Sequence, residues 1–66
     1  MKIYALNNGK YINPKLVTCC YVNQVERNIF QVVFEFGNEY KTICSHSTGE
    51  DANENLSDFI AFCEDH

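Results

Sequence analysis

The sequence predicts an α+β domain: an antiparallel β-meander of four to five strands, then one C-terminal amphipathic α-helix packed on one sheet face. Three observations carry this. "IFQVVFEF" (29–36) alternates Phe30, Val32, Phe34 and Phe36 against Ile29, Gln31, Val33 and Glu35, the period of a strand. Turn residues punctuate the chain at Asn8-Gly9, Asn13-Pro14 and Gly37-Asn38. Residues 47–66 then change period. At about 100° per residue, Ala52, Leu56, Phe59, Ile60 and Cys63 fall on one stripe.

Each element has its own local reason. "KIYAL" (2–6) is the first strand. Asn8-Gly9 suits a two-residue type I′ turn, and "KYI" (10–12) returns as the second strand. Pro14 ends it, because proline donates no hydrogen bond and restricts the residue before it. "KLVTCCYVNQ" (15–24) is rich in residues that favour strands. A turn is expected around "NQVERN" (23–28). After the fourth strand, Gly37-Asn38 suits a type II′ turn into "EYKTICS" (39–45). Ser47 and Glu50 give a capping-box pattern at the helix start. Phe62 sits on the shoulder of the apolar stripe.

Sixty-six residues make one domain, 1–66. One core of that size supplies only about 3–5 kcal/mol of stability. The composition, 45% hydrophobic and 21% charged, is that of a folded chain. No run approaches the ~18 apolar residues of a membrane span. The N-terminal stretch lacks the apolar run of a signal peptide, so a cytoplasmic protein with thiols at Cys19, Cys20, Cys44 and Cys63 is expected. The third strand is apolar on both faces. Leu16, Cys20 and Val22 lie on one, and Val17, Cys19 and Tyr21 on the other. A single helix covers one side of a flat sheet. Either the sheet curls into a barrel or a second copy covers Val17, Cys19, Tyr21, Ile29 and Val33; the homodimer is favoured.

Charge divides the chain in two. Residues 1–46 hold five cations and three acids, net +2. Residues 47–66 hold six acids and no Lys or Arg, net −6, which together give the −4 of the whole. The balance argues against direct nucleic-acid binding, which needs clustered Lys and Arg.

Little here points to catalysis. The three glycines sit at turns, and no glycine-rich phosphate loop is present. Cys44 and His46, or Cys63 and His66, lack the paired spacing of a zinc site, so no metal and no cofactor is expected. A cysteine nucleophile would need a base beside it, whereas strand alternation places Cys20 and Cys44 among apolar neighbours. The expectation is a protein that is not an enzyme.

The helix acids lack a local explanation. Glu50–Glu54 and Glu54–Asp58 are like-charge pairs four residues apart, each costing about 0.2–0.5 kcal/mol. Glu64 and Asp65 sit at the helix end where cations would be favoured. Solubility is one reason for such a surface. A cationic partner is the other.

The order of elements resembles the small flagellar FlbD family, on Leu6-Asn7-Asn8-Gly9, Ile12-Asn13-Pro14-Lys15-Leu16-Val17, a middle strand ending near Gly37, Tyr40, and the closing Leu56 and Ile60. The chain departs from that family in "CCYVNQVERN" and in its more acidic helix. In size, charge and architecture it is also similar to anti-CRISPR inhibitors of phages and mobile elements, which occupy nucleic-acid-binding surfaces. The outward carboxylates of the helix, taken with that likeness, give the expectation of a module docking a basic protein surface through Glu50, Glu54, Asp58, Phe62 and Asp65. Two alternatives stand beside it: an accessory protein acting through a homodimeric sheet interface, and a small ligand- or metal-sensing dimer using Cys44 and His46.

Overall fold

A computed structural model of the chain describes residues 3–37 and 39–65, with only the backbone of Asp65. The α+β class holds. Strands β1 (Tyr4–Ala5) and β2 (Tyr11–Ile12) form a hairpin, and a 3-10 turn (Pro14–Leu16) follows. Strands β3 (Cys19–Glu26), β4 (Ile29–Glu35) and β5 (Lys41–His46) form a separate antiparallel sheet in that order. Helix α1 (Gly49–Asp65) closes the chain. The large sheet stays open, and the helix covers one of its faces.

The alternation in β4 sets the core. Val32 and Phe34 are wholly buried, with Phe30 and Phe36 packed against them. From β5, Cys44 reaches the same layer; Cys20 and Val22 come from β3. Leu6 and Ile12 of the hairpin complete it beside Ala52 and Phe59 of the helix. The core is thus a wedge between one sheet face, the helix and the hairpin.

Val17 joins that core instead of the open face. Strand alternation does not extend back to it, because β3 begins only at Cys19. The 3-10 turn holds residues 14–16, with the Asn13 side chain accepting from the Lys15 N–H at 3.0 Å. At its other end β3 runs on to Glu26 through a bulge between Gln24 and Glu26, leaving Arg27-Asn28 as the turn.

Two loops are longer than their dipeptides suggested. Leu6 N–H donates to Lys10 C=O at 2.8 Å and Gly9 N–H to Leu6 C=O at 3.2 Å. Within this loop only Gly9 takes positive φ (86°). This is a turn over Asn7-Asn8 followed by a glycine bulge, not a type I′ turn, which would need positive φ at Asn8 as well. Asn8 accounts for the difference. Its Oδ1 accepts from Lys10 N–H at 3.0 Å, and its Nδ2 donates to the Ile43 carbonyl at 3.0 Å, tying the loop to β5. In the second loop, Phe36 N–H donates to Tyr40 C=O at 3.0 Å, so three residues span the connection. Gly37 (φ 79°) and Glu39 (φ 68°) are left-handed. Asn38, half of the proposed type II′ turn, lies outside the described residues.

The helix starts one residue later than its capping pattern suggested. Thr48 Oγ1, not Ser47, accepts from the Asp51 N–H at 3.1 Å, and Ala52 N–H donates to the Thr48 carbonyl. Gly49 lies against Phe30, where a Cβ would come within 3.2 Å of the ring. That close approach seats the first turn on the sheet.

The buried stripe is also rotated. Ala52 and Phe59 are buried as expected and Leu56 packs on the core, but Ile60 and Cys63 are exposed. Asn55 and Phe62 turn inward instead. The reason is the hairpin: Tyr4 packs edge-on against Phe59 (ring centroids 5.1 Å) and Phe62 (5.3 Å).

Candidate functional site: the acidic groove and the open sheet face

The acids of the helix lie on its outer side. Glu50, Asp51, Glu54, Asp58 and Glu64 are all exposed. Asp51, Glu54 and Asp58, at positions i, i+3 and i+7, line a shallow groove with Ala5, Leu6 and Asn7 of the hairpin and with His46 and Asn55. Three carboxylates on one rim, with no Lys or Arg among the described lining residues, make a surface suited to cationic side chains.

Behind this rim runs a hydrogen-bonded chain. Asn55 Nδ2 donates to the Tyr4 hydroxyl at 3.3 Å, and Asn55 Oδ1 pairs with His46 Nε2 at 2.9 Å. With that orientation of the Asn55 amide, Nε2 of His46 is the donor. One asparagine thereby ties β1 to β5 through the helix. Asn55→Ala leaves Tyr4 and His46 without their shared partner, and a loss of about 1–3 kcal/mol is expected. Urea unfolding, read against the wild type, measures it.

Of the residues expected to contact a partner, Glu50, Glu54 and Asp58 are exposed on the helix. Phe62 is half-buried and contributes to the seat of Tyr4, because the hairpin lies on its side of the helix. The side chain of Asp65 lies outside the described atoms. Asp51, Asn7 and Asn55 were not among the expected contacts, and His46 was singled out only with Cys44 for a ligand- or metal-sensing dimer. Asp51 was detectable, being one helical stripe with Asp58; the others depend on where the hairpin lands.

The helix-free sheet face is organised by register. Tyr21, Val33 and Ile43 lie side by side across β3, β4 and β5, as do Cys19, Glu35 and Lys41. Val33 is only 3% exposed although no element covers it, because its two strand neighbours flank it. Tyr21 donates to Glu35 Oε2 at 2.8 Å. Ile29 and Ile43 are each 37% exposed, and Ile43 is the member of this face that sequence reading missed.

Two thiols, Cys44 and Cys20, are biased toward their neutral form. Burial pushes Cys44 and Cys20 up, the latter helped by Cys19 and Cys63 nearby. Burial raises Tyr4, opposed by the Asn55 hydrogen bond; the Glu35 hydrogen bond raises Tyr21. A raised acid favours the protonated folded state. Its stabilisation is therefore complete below the unfolded values of 9.0 for Cys and 10.0 for Tyr, and is lost as pH rises through the raised ones. Thermal midpoints should accordingly fall at alkaline pH, and less so in Tyr4→Phe. Equal alkaline loss in both proteins would remove Tyr4 from the account.

Among the described residues, no three His, Cys, Asp or Glu side chains come together as a metal site, and no helix is long and apolar enough to cross a membrane. Comparison with known proteins leaves the fold standing by itself: no protein-family model, no curated protein and no solved structure matches the chain.

Proposed function

We propose that this is a non-enzymatic protein-binding module that docks its acidic helix onto a basic surface of a nucleic-acid-handling or host-defence protein, as an inhibitor encoded by a phage or mobile element would. One observation carries the reading. Asp51, Glu54 and Asp58 stand exposed along one side of a groove, in a helix that contains no Lys or Arg and pays for their mutual repulsion. Carboxylates four residues apart on a helix lie roughly 6 Å from one another, close to the spacing of backbone phosphates. They can occupy cationic side chains that would otherwise hold nucleic acid, and they steer a basic partner into contact.

The test is a pull-down from bacterial lysate with the wild type and with Glu54→Lys/Asp58→Lys, at low and high salt. A partner that is released by salt, lost in the variant and displaced by duplex DNA supports the reading. Exposed charge pairs are screened over about 8–10 Å at physiological ionic strength, which is why salt should release it. Retention of the same partner by the charge-reversed protein would reduce the acids to a solubilising role.

The sheet face favours a second reading, a homodimer closed over Tyr21, Val33, Ile43 and Ile29. Its support is the set of partly exposed apolar side chains, Tyr21, Ile29 and Ile43, around the buried Val33 on an uncovered face. Light scattering decides it: a strict monomer at high protein concentration removes this interface.

A further inference from the structure

On the β2 arm of the hairpin, across from the Ala5–Asn7 arm that borders the acidic groove, lies a second concavity that shares no lining residue with it. It measures about 540 Å³ and is lined by Lys10, Tyr11, Ile12, Asn13, Leu16, Phe36, Tyr40 and Thr42. Its volume falls in the range of about 300–1,000 Å³ that small ligands occupy. Three observations distinguish it from an ordinary surface dent.

The first is the lining. Tyr11 is 73% exposed and Tyr40 56%, unusually high for aromatic rings with no covering element. Phe36 and Tyr40 pack together with centroids 5.4 Å apart and planes tilted by 38°, forming one aromatic wall. Such a wall favours stacking with another flat ring.

The second is Thr42. The residue is 97% buried by its 3% exposure, yet no hydrogen bond to its hydroxyl forms among the described residues. No buried side-chain oxygen there is both sealed and unpaired, so the hydroxyl keeps its small access, and the groove is what Thr42 lines. A ligand atom that reaches the hydroxyl through that access gains a hydrogen bond worth about 0.5–1.5 kcal/mol.

The third is charge. Among the described residues Lys10 is the one ionic side chain of the lining, and it belongs to the half of the chain that is net positive. Cationic or neutral ligands gain nothing from it; an anion does.

We propose that this groove binds a small organic anion carrying one aromatic ring, with the ring against Phe36, Tyr40 and Tyr11, a polar atom on the Thr42 hydroxyl, and the carboxylate at Lys10. The site is separate from the acidic helix, and its occupancy does not depend on the docking reading.

The test is an NMR titration of the isotope-labelled full chain with phenylpropionate, phenylpropanol and phenylpropylamine, which share a ring and differ in charge. Phenylpropionate should shift Tyr11, Tyr40 and Thr42 and saturate in about the low millimolar range expected of a fragment. The alcohol should bind more weakly and the amine weakest. Lys10→Gln should erase the preference for the carboxylate over the alcohol. Thr42→Val should weaken phenylpropionate by about two- to tenfold, the value of one hydrogen bond, with an unchanged fold by its backbone spectrum. Linear, unsaturated shifts, equal binding of all three probes, or an unaltered affinity in Thr42→Val each overturn the proposal.

Discussion

Phe34→Ala is expected to abolish the folded state at room temperature. Phe34 is wholly buried at the middle of the sheet, opposite Cys20 on β3 and Thr42 on β5. Its ring meets Phe59 edge-on at 4.8 Å, an aromatic contact that joins sheet to helix. Phe59 in turn carries Tyr4, so the hairpin depends on the same column of rings. Truncating a buried phenylalanine costs about 3–5 kcal/mol. A domain of this length has about the same amount in total. The margin therefore vanishes, whereas one cavity in a larger protein would only lower it. Phe34→Leu keeps most of the volume and should remain folded with a loss of about 1–2 kcal/mol. Near-ultraviolet circular dichroism and urea titration distinguish the two. A cooperative transition in Phe34→Ala with an unchanged midpoint would mean that the Phe34–Phe59–Tyr4 column does not hold the elements together.

That column also explains which parts of the fold could be read in advance. Phe34 and Val32 were legible because a strand of period two leaves no other assignment for them. Ala52, Leu56 and Phe59 were legible for the matching reason in the helix. The exchange of Ile60 and Cys63 for Asn55 and Phe62 was not. A helical wheel gives the direction of greatest apolarity, but the buried direction depends on everything that packs against the helix. Here the hairpin places Tyr4 beside Phe59 and Phe62 and offers Asn55 a hydroxyl. Nothing local in residues 47–66 announces that. The same limit applies to the site. Glu54 and Asp58 were evident from their spacing, while Asn7 borders the groove in a loop that Asn8 anchors on β5. Loop lengths failed for a related cause. The Asn8 side chain bonds outside its own hairpin, so its loop answers to a distant strand as well as to its dipeptide.

Glu54→Lys should separate binding from stability more sharply than any other single change. In the wild type Glu54 repels both Glu50 and Asp58 at four-residue spacing. A lysine there turns both contacts attractive, with Glu50 on its N-terminal side, the more favourable order. Each reversal exchanges a penalty of about 0.2–0.5 kcal/mol for a gain of similar size, so the variant should be more stable by about 0.8–2 kcal/mol at low salt. Position 54 is exposed, and the packing beneath it is undisturbed. If the acidic rim holds a cationic partner, the same substitution puts like charges together in the interface. Losing one desolvated charge pair costs about 2–5 kcal/mol, which lowers affinity by roughly thirty- to several-thousandfold. Stability and binding then move in opposite directions, which no folding defect can imitate. Thermal unfolding and a salt-dependent binding titration against the captured partner measure the two quantities on one sample. A rise in melting temperature with undiminished affinity would mean that the repulsion in this helix serves only to keep copies of the chain apart.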